Sequence, residues 1–420
     1  MNKLLLFVGL LAIILNTYAQ PVTLLFAGDA MQHQNQLDNA YRNGTYDYSS
    51  YFPCLAEIVS CADVAIVNLE TTLGGKPYRG YPMFCSPDEY AVALKDVGFN
   101  VFLTANNHIL DRFSKGLHRT LDVLDSLEIK HTGAFRNWEE REKTYPLMIE
   151  KNGIRMAFLN YTYGTNGIEP AFPNVVNYIN RYQIRQDIAQ AKYLKADIII
   201  ANIHWGAEYQ MKQNREQEKT AQFLMEEGVD IVMGSHPHVV QPAQVFTDSV
   251  GNISNIVVYS LGNFVSNMTA VNTDGGQLIR IVLDKKKEKP HIVSCHYTLV
   301  YVDRVPNGNR MDFSVIPVSS KAAEAVNQSK MQRFVNNARA VLDIYNIGVP
   351  EDSLFPCLKQ DMMLLIPLKL RLNVFPVLPS PIDTTQNKRR PYHGDKRKFL
   401  MNDDGRRNQR HNRNEIQIIR

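Results

Sequence analysis

The sequence predicts an α/β fold built on a largely parallel sheet with helices on both faces. Three observations lead there. Short β-branched or apolar runs alternate with amphipathic helical segments along most of the chain. The composition is 45% hydrophobic, enough for 420 residues to bury a sizeable core. Nearly every strand-like run ends in a polar cluster, the place where ligands gather in open α/β sheets.

The N-terminus stands apart from this pattern. Lys3 precedes the apolar run Leu4 to Leu15, and Thr17-Tyr18-Ala19 follow before Gln20. A run this short falls below the roughly 20 residues a spanning helix needs, so residues 1–19 read as a signal peptide cleaved after Ala19. The mature chain is expected to be exported, periplasmic or extracellular. No Cys follows the run to accept a lipid, and no later stretch is long and apolar enough to span a membrane.

The strand-like runs are Val22 to Ala27, Val64 to Val67, Val101 to Thr104, Ile154 to Tyr161, Ile198 to Ile203, Ile231 to Met233, Ile256 to Ser260 and Leu278 to Leu283. Between them, Leu117 to Leu127 and Arg215 to Glu227 carry apolar residues at helical spacing. The main domain is expected over 20–315. A C-terminal extension over 316–384 includes the helix-like stretch Lys321 to Leu342, whose relation to the core the sequence does not reveal. Net charge is +4, but Gln386 to Arg420 hold 11 Lys/Arg against 4 Asp/Glu, so this segment carries +7 and the rest −3. Residues 385–420 therefore read as a basic disordered tail, too poor in apolar side chains to offset its ordering entropy. Cys54, Cys61, Cys85, Cys295 and Cys357 form no Cys-x-x-Cys pair and read as small buried hydrophobes, with a distant disulfide left open by an oxidising compartment.

The chemistry lies at the strand ends. Val22 to Ala27 ends in Gly28-Asp29, Val64 to Val67 in Asn68-Leu69-Glu70, and Val101 to Thr104 in Ala105-Asn106-Asn107-His108 with Asp111. Ile198 to Ile203 ends in His204-Trp205-Gly206-Ala207-Glu208-Tyr209, Ile231 to Met233 in Gly234-Ser235-His236-Pro237-His238, and Val257 to Ser260 in Leu261-Gly262-Asn263. Each alone has a structural reading, as a turn residue, a helix cap or a hydrogen-bonded core histidine. In His236-Pro237-His238, alternate residues on an extended chain would present both rings to one position. Together, oxygen and imidazole donors from separate strand ends suit one or two divalent ions such as Mn, Fe or Zn. The alternative is a polar groove for a sugar or peptide without metal.

In this order the motifs resemble those of the CapA family of poly-γ-glutamate and capsule biosynthesis, over Thr23 to Val282. That family is similar to calcineurin-like metallophosphoesterases, which implies a four-layer α/β/β/α sandwich. It also implies Asp29, Glu70, Asn107, His204, His236 and His238 as metal ligands. Glu70 would bridge, with Asp29 and His238 on one ion and Asn107, His204 and His236 on the other. The phosphoesterase pattern has a histidine two residues after its first aspartate, where this chain has Met31. One ion thereby loses a nitrogen donor, and His33 does not match that offset. His108, oriented by Asp111, would protonate the leaving oxygen. Trp205, Glu208, Tyr209 and Asn263 are the expected substrate-binding residues.

Two functions follow. One is a metal-dependent hydrolase acting on a phosphoester or another bond in an envelope polymer or its precursor. The other is a non-catalytic subunit that guides an anionic polymer through a membrane synthesis and export complex. The exported location excludes a cytoplasmic signalling phosphatase, and nucleic acid is not an expected partner.

Overall fold

The computed structural model describes residues 20–286 and 289–352. The expected signal peptide, the basic tail and the extension beyond residue 352 lie outside them. In chain order the described strands are β1 (Val22–Ala30), the β2–β3 ribbon (Tyr41–Arg42, Thr45–Tyr46), β4 (Val64–Leu69), β5 (Val101–Leu103), β6 (Lys130–Thr132), β7 (Ala134–Phe135), β8 (Leu147–Lys151) and β9 (Ile154–Thr162). There follow β10 (Val175–Val176), β11 (Ile198–His204), β12 (Ile231–Ser235), β13 (Ala243–Thr247), β14 (Ile253–Val258), β15 (Asn263–Val265), β16 (Gly275–Lys286), β17 (Lys289–Asn307) and β18 (Arg310–Pro317). The helices are α1 (Gln34–Ala40), α2 (Ala56–Ser60), α3 (Asp88–Val97), α4 (Phe113–Ser126), α5 (Trp138–Thr144), α6 (Arg181–Tyr193), α7 (Arg215–Glu227) and α8 (Gln328–Tyr345).

The main sheet runs β6-β5-β4-β1-β16-β17-β14-β12-β11-β9-β8. Its two wings, β6-β5-β4-β1 and β14-β12-β11-β9, are parallel. They are joined through the antiparallel β16–β17 hairpin. Leu278 to Leu283, expected to continue the strand–helix alternation, runs antiparallel to both β1 and β17. Its pairing with β17 follows from the short connection between them, since parallel pairing needs a crossover.

Side-chain parity along the strands makes the layers. Leu24, Phe26 and Ile66 from one wing meet Met156, Phe158, Ile200 and Met233 from the other in one apolar cluster between the wings. The opposite parity faces helices. Leu25, Ala27, Ala65 and Val67 pack with Tyr90, Ala91 and Leu94 of α3. Leu159, Ala201, Ile203 and Val232 pack with Ile184 and Ile188 of α6 and Ala221 and Leu224 of α7. Burying both faces of both wings gives the α/β/β/α order.

Local signals place the helices. Asn214 caps α7 by accepting the Gln217 backbone N–H, Gln217 returns the bond, and Gly228 at φ 100° ends the helix. The C-terminal helix begins at Gln328 because Asn327 caps it, after a separate 3-10 turn at Lys321–Ala325. Its Met331, Phe334, Val335 and Leu342 join the cluster between the wings, which settles its relation to the core. Cys61 is disulfide-bonded, correcting its reading as a plain buried hydrophobe, while Cys54, Cys85 and Cys295 are free thiols. Among the described residues no helix is long and apolar enough to cross a membrane.

Candidate metal centre

The carboxyl ends of both parallel wings converge on one buried polar cluster. On the first wing, Gly28 permits the approach of a neighbouring loop, since a Cβ there would lie 1.9 Å from the Gly262 carbonyl oxygen. Asp29 follows, its N–H donating to that oxygen at 3.0 Å, in a register shift between β1 and β4. Glu70 comes directly after β4, and Asn107 and His108 sit in the turn after β5. On the second wing, His204 ends β11, and His236 and His238 follow β12.

Asp29, Glu70, His204, His236 and His238 are all at most 4% exposed. Their donor atoms form two triads that share Glu70: Glu70, His236 and His238, and Asp29, Glu70 and His204. Glu70 Oε1 lies 3.6 Å from His204 Nε2 and 3.8 Å from His238 Nε2. His238 Nδ1 lies 3.2 Å from Asp29 Oδ2, and Asn107 Oδ1 lies 2.8 Å from His204 Nε2. These triads group His236 with His238, whereas the family resemblance groups it with His204. All the ligands named from the sequence meet here, with Asn107 at the edge of the cluster.

His236 and His238 converge by a route the sequence does not suggest. Both sit at positive φ, 98° and 58°, so the segment is not the extended chain assumed above. Their rings instead meet at 61° with centroids 5.8 Å apart because the backbone turns twice through the left-handed region. For non-glycine residues that conformation costs roughly 1–3 kcal/mol each, a strain that surrounding structure must hold. Gly234 contributes, since a Cβ there would lie 1.9 Å from the Tyr259 carbonyl oxygen.

The electrostatics favour a bound cation. Burial raises Glu70 well above the usual carboxylate range, and the neighbouring charge of Asp29 adds to it. Burial also acts against Asp29, but the hydrogen bond and charge of His238, with help from His204 and Asn68, hold it well below that range. Two adjacent buried carboxylates without a cation are thus pushed in opposite directions. Burial, reinforced by His238, pushes His236 down to about 3, and burial with His236 pushes His204 well down. Neutral imidazoles keep the lone pairs that a metal needs. Glu70 Oε1 and His236 Nδ1 are buried with no hydrogen-bond partner among the described residues, and such orphaned atoms are what a divalent ion would satisfy. The donor set therefore fits such ions.

Beside this cluster, His108 Nδ1 lies 2.7 Å from Asp111 Oδ2, which also accepts the Phe84 N–H at 2.6 Å. The Phe84 ring stands edge-on to His108 at 4.6 Å. His33 lies on the other side of Phe84, its Nδ1 accepting the Asn267 N–H, and it belongs to neither triad.

The expected groove residues divide. Glu208 is exposed at the rim, and Tyr209, 43% exposed, has its ring 6.5 Å from that of His238. Trp205 does not line the groove. It is 3% exposed, stacks on Tyr259 and donates its indole N–H to the Tyr259 carbonyl, because alternation turns it to the helix-covered face. Asn263 is also buried, its Oδ1 3.1 Å from His238 Nδ1 and its amide on the Thr273 carbonyl.

The structure adds residues not singled out in the sequence. Asn68 donates to Asp29 Oδ1 at 2.8 Å, and Asn106 donates to Asn68 and caps the His108 N–H. Tyr163, just beyond β9, has its ring 4.5 Å from His236 and stacked at 12° and 6.2 Å on His204. Burial, with Glu208 and Glu70, raises its phenol to about 12, while a hydrogen bond from the Asn107 side chain acts the other way. Thr162-Tyr163-Gly164-Thr165-Asn166 is itself a polar strand end, so the rule that located the other candidate residues would have located this one.

Comparison with known proteins finds that the family described as "Bacterial capsule synthesis protein PGA_cap" matches residues 23–268. The chain is 28% identical over 272 residues to the capsule biosynthesis protein CapA of Bacillus anthracis, covering 62% of this chain and 64% of that protein. It is 30% identical over 207 residues to the PGA biosynthesis protein CapA of Bacillus subtilis, covering 47% of this chain and 50% of that one. The chain thus spans between half and two thirds of these relatives. Among solved structures, the calcineurin-like phosphoesterase YfkN of Bacillus subtilis aligns with a TM-score of 0.40 and 14% identity, over 76% of this chain and 97% of that one.

Proposed function

The chain belongs to the bacterial capsule synthesis family PGA_cap, and on that premise we propose that it is an exported, metal-dependent hydrolase of capsule or poly-γ-glutamate synthesis. Its target is a phosphoester or another bond in an envelope polymer or its precursor. Its partners are that anionic polymer and the membrane machinery that makes and exports it. The observation that carries the reading is the pair of buried donor triads sharing Glu70, with the His108–Asp111 pair beside them. A polymer guide needs no buried imidazole–carboxylate pair next to a metal cluster. The disulfide at Cys61 and the apolar run Leu4 to Leu15 support export.

Asp29, Glu70, His204, His236 and His238, with Asn107, would hold one or two divalent ions, for which Mn, Fe and Zn are candidates. Such ions supply Lewis acidity at anionic oxygens and lower the pKa of water. The remaining steps belong to the chain. In its doubly protonated form His108 delivers the Nε2 proton to the leaving oxygen and becomes neutral, while Asp111 accepts the Nδ1–H and holds the ring. Asn263 and Asp29 hold His238 by Nδ1, leaving its Nε2 toward Glu70.

The test pairs elemental analysis of the purified mature chain with a phosphodiester assay on the metal-loaded protein, before and after chelation. Bound transition metal with chelator-sensitive turnover is expected. Bound metal without turnover on simple or polymeric phosphoesters would favour the polymer-guiding subunit, and recovery of a chain beginning at Met1 would refute cleavage after Ala19.

A further inference from the structure

Tyr163 is placed unlike any other polar side chain around the cluster. Its ring rests against two ligand imidazoles, 4.5 Å from His236 and 6.2 Å from His204, while 48% of the residue stays exposed. It therefore forms part of the wall of the opening. Its position is fixed from the backbone, since its N–H donates to the His204 carbonyl at 2.9 Å. Asn107 lies beside it, its amide donating to Asn166 Oδ1 at 3.2 Å.

At this half-exposed edge of the opening, the Tyr163 hydroxyl is a neutral group that can donate a hydrogen bond. With its ring set against His236 and His204, Tyr163 thus offers an oriented, neutral donor beside the candidate metal ligands. Oxyanions bound in such clefts need donors for the oxygens that the cations do not cover.

We propose that the Tyr163 hydroxyl donates a hydrogen bond to a non-bridging oxygen of an oxyanion bound at the metal centre, making it a substrate-contacting residue on the His204 side. This assignment rests on the reading of the cluster as a metal site that takes phosphoryl-type oxyanions. A neutral donor here gives orientation without adding charge, and it leaves the charge balance to the ions.

The test uses inorganic phosphate as probe, titrated by calorimetry into the Mn-loaded protein and its Tyr163→Phe variant, with Mn affinity measured separately for each. The substitution keeps the ring and removes only the hydroxyl. Phosphate binding is expected to weaken about tenfold, with Mn stoichiometry unchanged and Mn affinity altered by less than about twofold. Equal phosphate affinity in the two proteins overturns the assignment and leaves the metal-site reading standing. Loss of Mn in the variant also overturns it, because Tyr163 would then serve to hold Asn107. Failure of the native Mn-loaded protein to bind phosphate removes the oxyanion site itself, and the Tyr163 proposal with it.

Discussion

Replacing Glu70 by Gln should change stability in opposite directions with and without metal. The carboxylate is fully buried, Oε1 has no hydrogen-bond partner among the described residues, and Asp29 stands beside it. Its folded pKa is raised above the unfolded one, so its contribution to stability is fully present at low pH. That contribution is lost as pH rises through the folded value. Without metal at neutral pH, Glu70→Gln therefore removes a cost, and its melting temperature should equal or exceed the native one. With metal the balance reverses. At roughly 100 times Kd each bound ion stabilises by about 2.7 kcal/mol, so two supply about 5 kcal/mol. For a protein larger than about 250 residues this corresponds to about 10 °C, at near 2 °C per kcal/mol. Weakening both sites about a hundredfold, by removing a charge common to both, leaves under about 2 °C of that shift at the same metal concentration. Scanning calorimetry of both proteins with and without Mn reads all four values. A variant that keeps the full metal-induced shift, or that melts well below the native protein without metal, would refute the shared carboxylate.

Three further outcomes follow from other parts of the structure. Substituting His108 by Ala should preserve metal content yet slow turnover about 10² to 10⁴-fold on a poor leaving group and little on an activated aryl ester, with Asp111→Asn a weaker version; equal rates on the poor leaving group would exclude His108. The buried pair Arg141–Asp187, at 2.7 Å with Tyr161 also donating to Asp187, should make Asp187→Ala cost about 3–5 kcal/mol in urea unfolding, and a loss under about 1 kcal/mol would contradict its burial. Burial raises Asp230 from 3.8 to about 6, partly offset by the Ile199 N–H, so its contribution to stability is present below pH 4 and lost as pH rises through about 6. Asp230→Asn should therefore match the native protein near pH 4 and exceed it by up to about 2–3 kcal/mol above pH 7, whereas a pH-independent difference would show that Asp230 is not perturbed.

Much of this was legible in one dimension. The alternation of Leu24 and Phe26 with Leu25 and Ala27 already encodes a strand buried on both faces. Asp29, Glu70, Asn107, His204 and the His236–His238 pair announce themselves because each follows an apolar run, and the ends of parallel strands come together whatever the details of the fold. The Asn214–Gln217 cap and Gly228 likewise bound their helix through contacts a few residues apart.

What depended on distant chain was not legible. The pairing of β16 with both β1 and β17 joins the wings, and only that closure sets which donors share a triad. Strand alternation turns Trp205 away from the cleft, but its anchor, the Tyr259 carbonyl, lies 54 residues later. Asn263 meets His238 Nδ1 because β15, 25 residues on, pairs beside β1. His236 and His238 converge through left-handed backbone that their residue types disfavour, and the packing around Gly234 imposes it. Strand periodicity and strand-end chemistry are properties of neighbours along the chain, whereas ligand grouping, ring direction and backbone strain arise from contacts between residues far apart in it, and these exist only once the two wings have closed on each other.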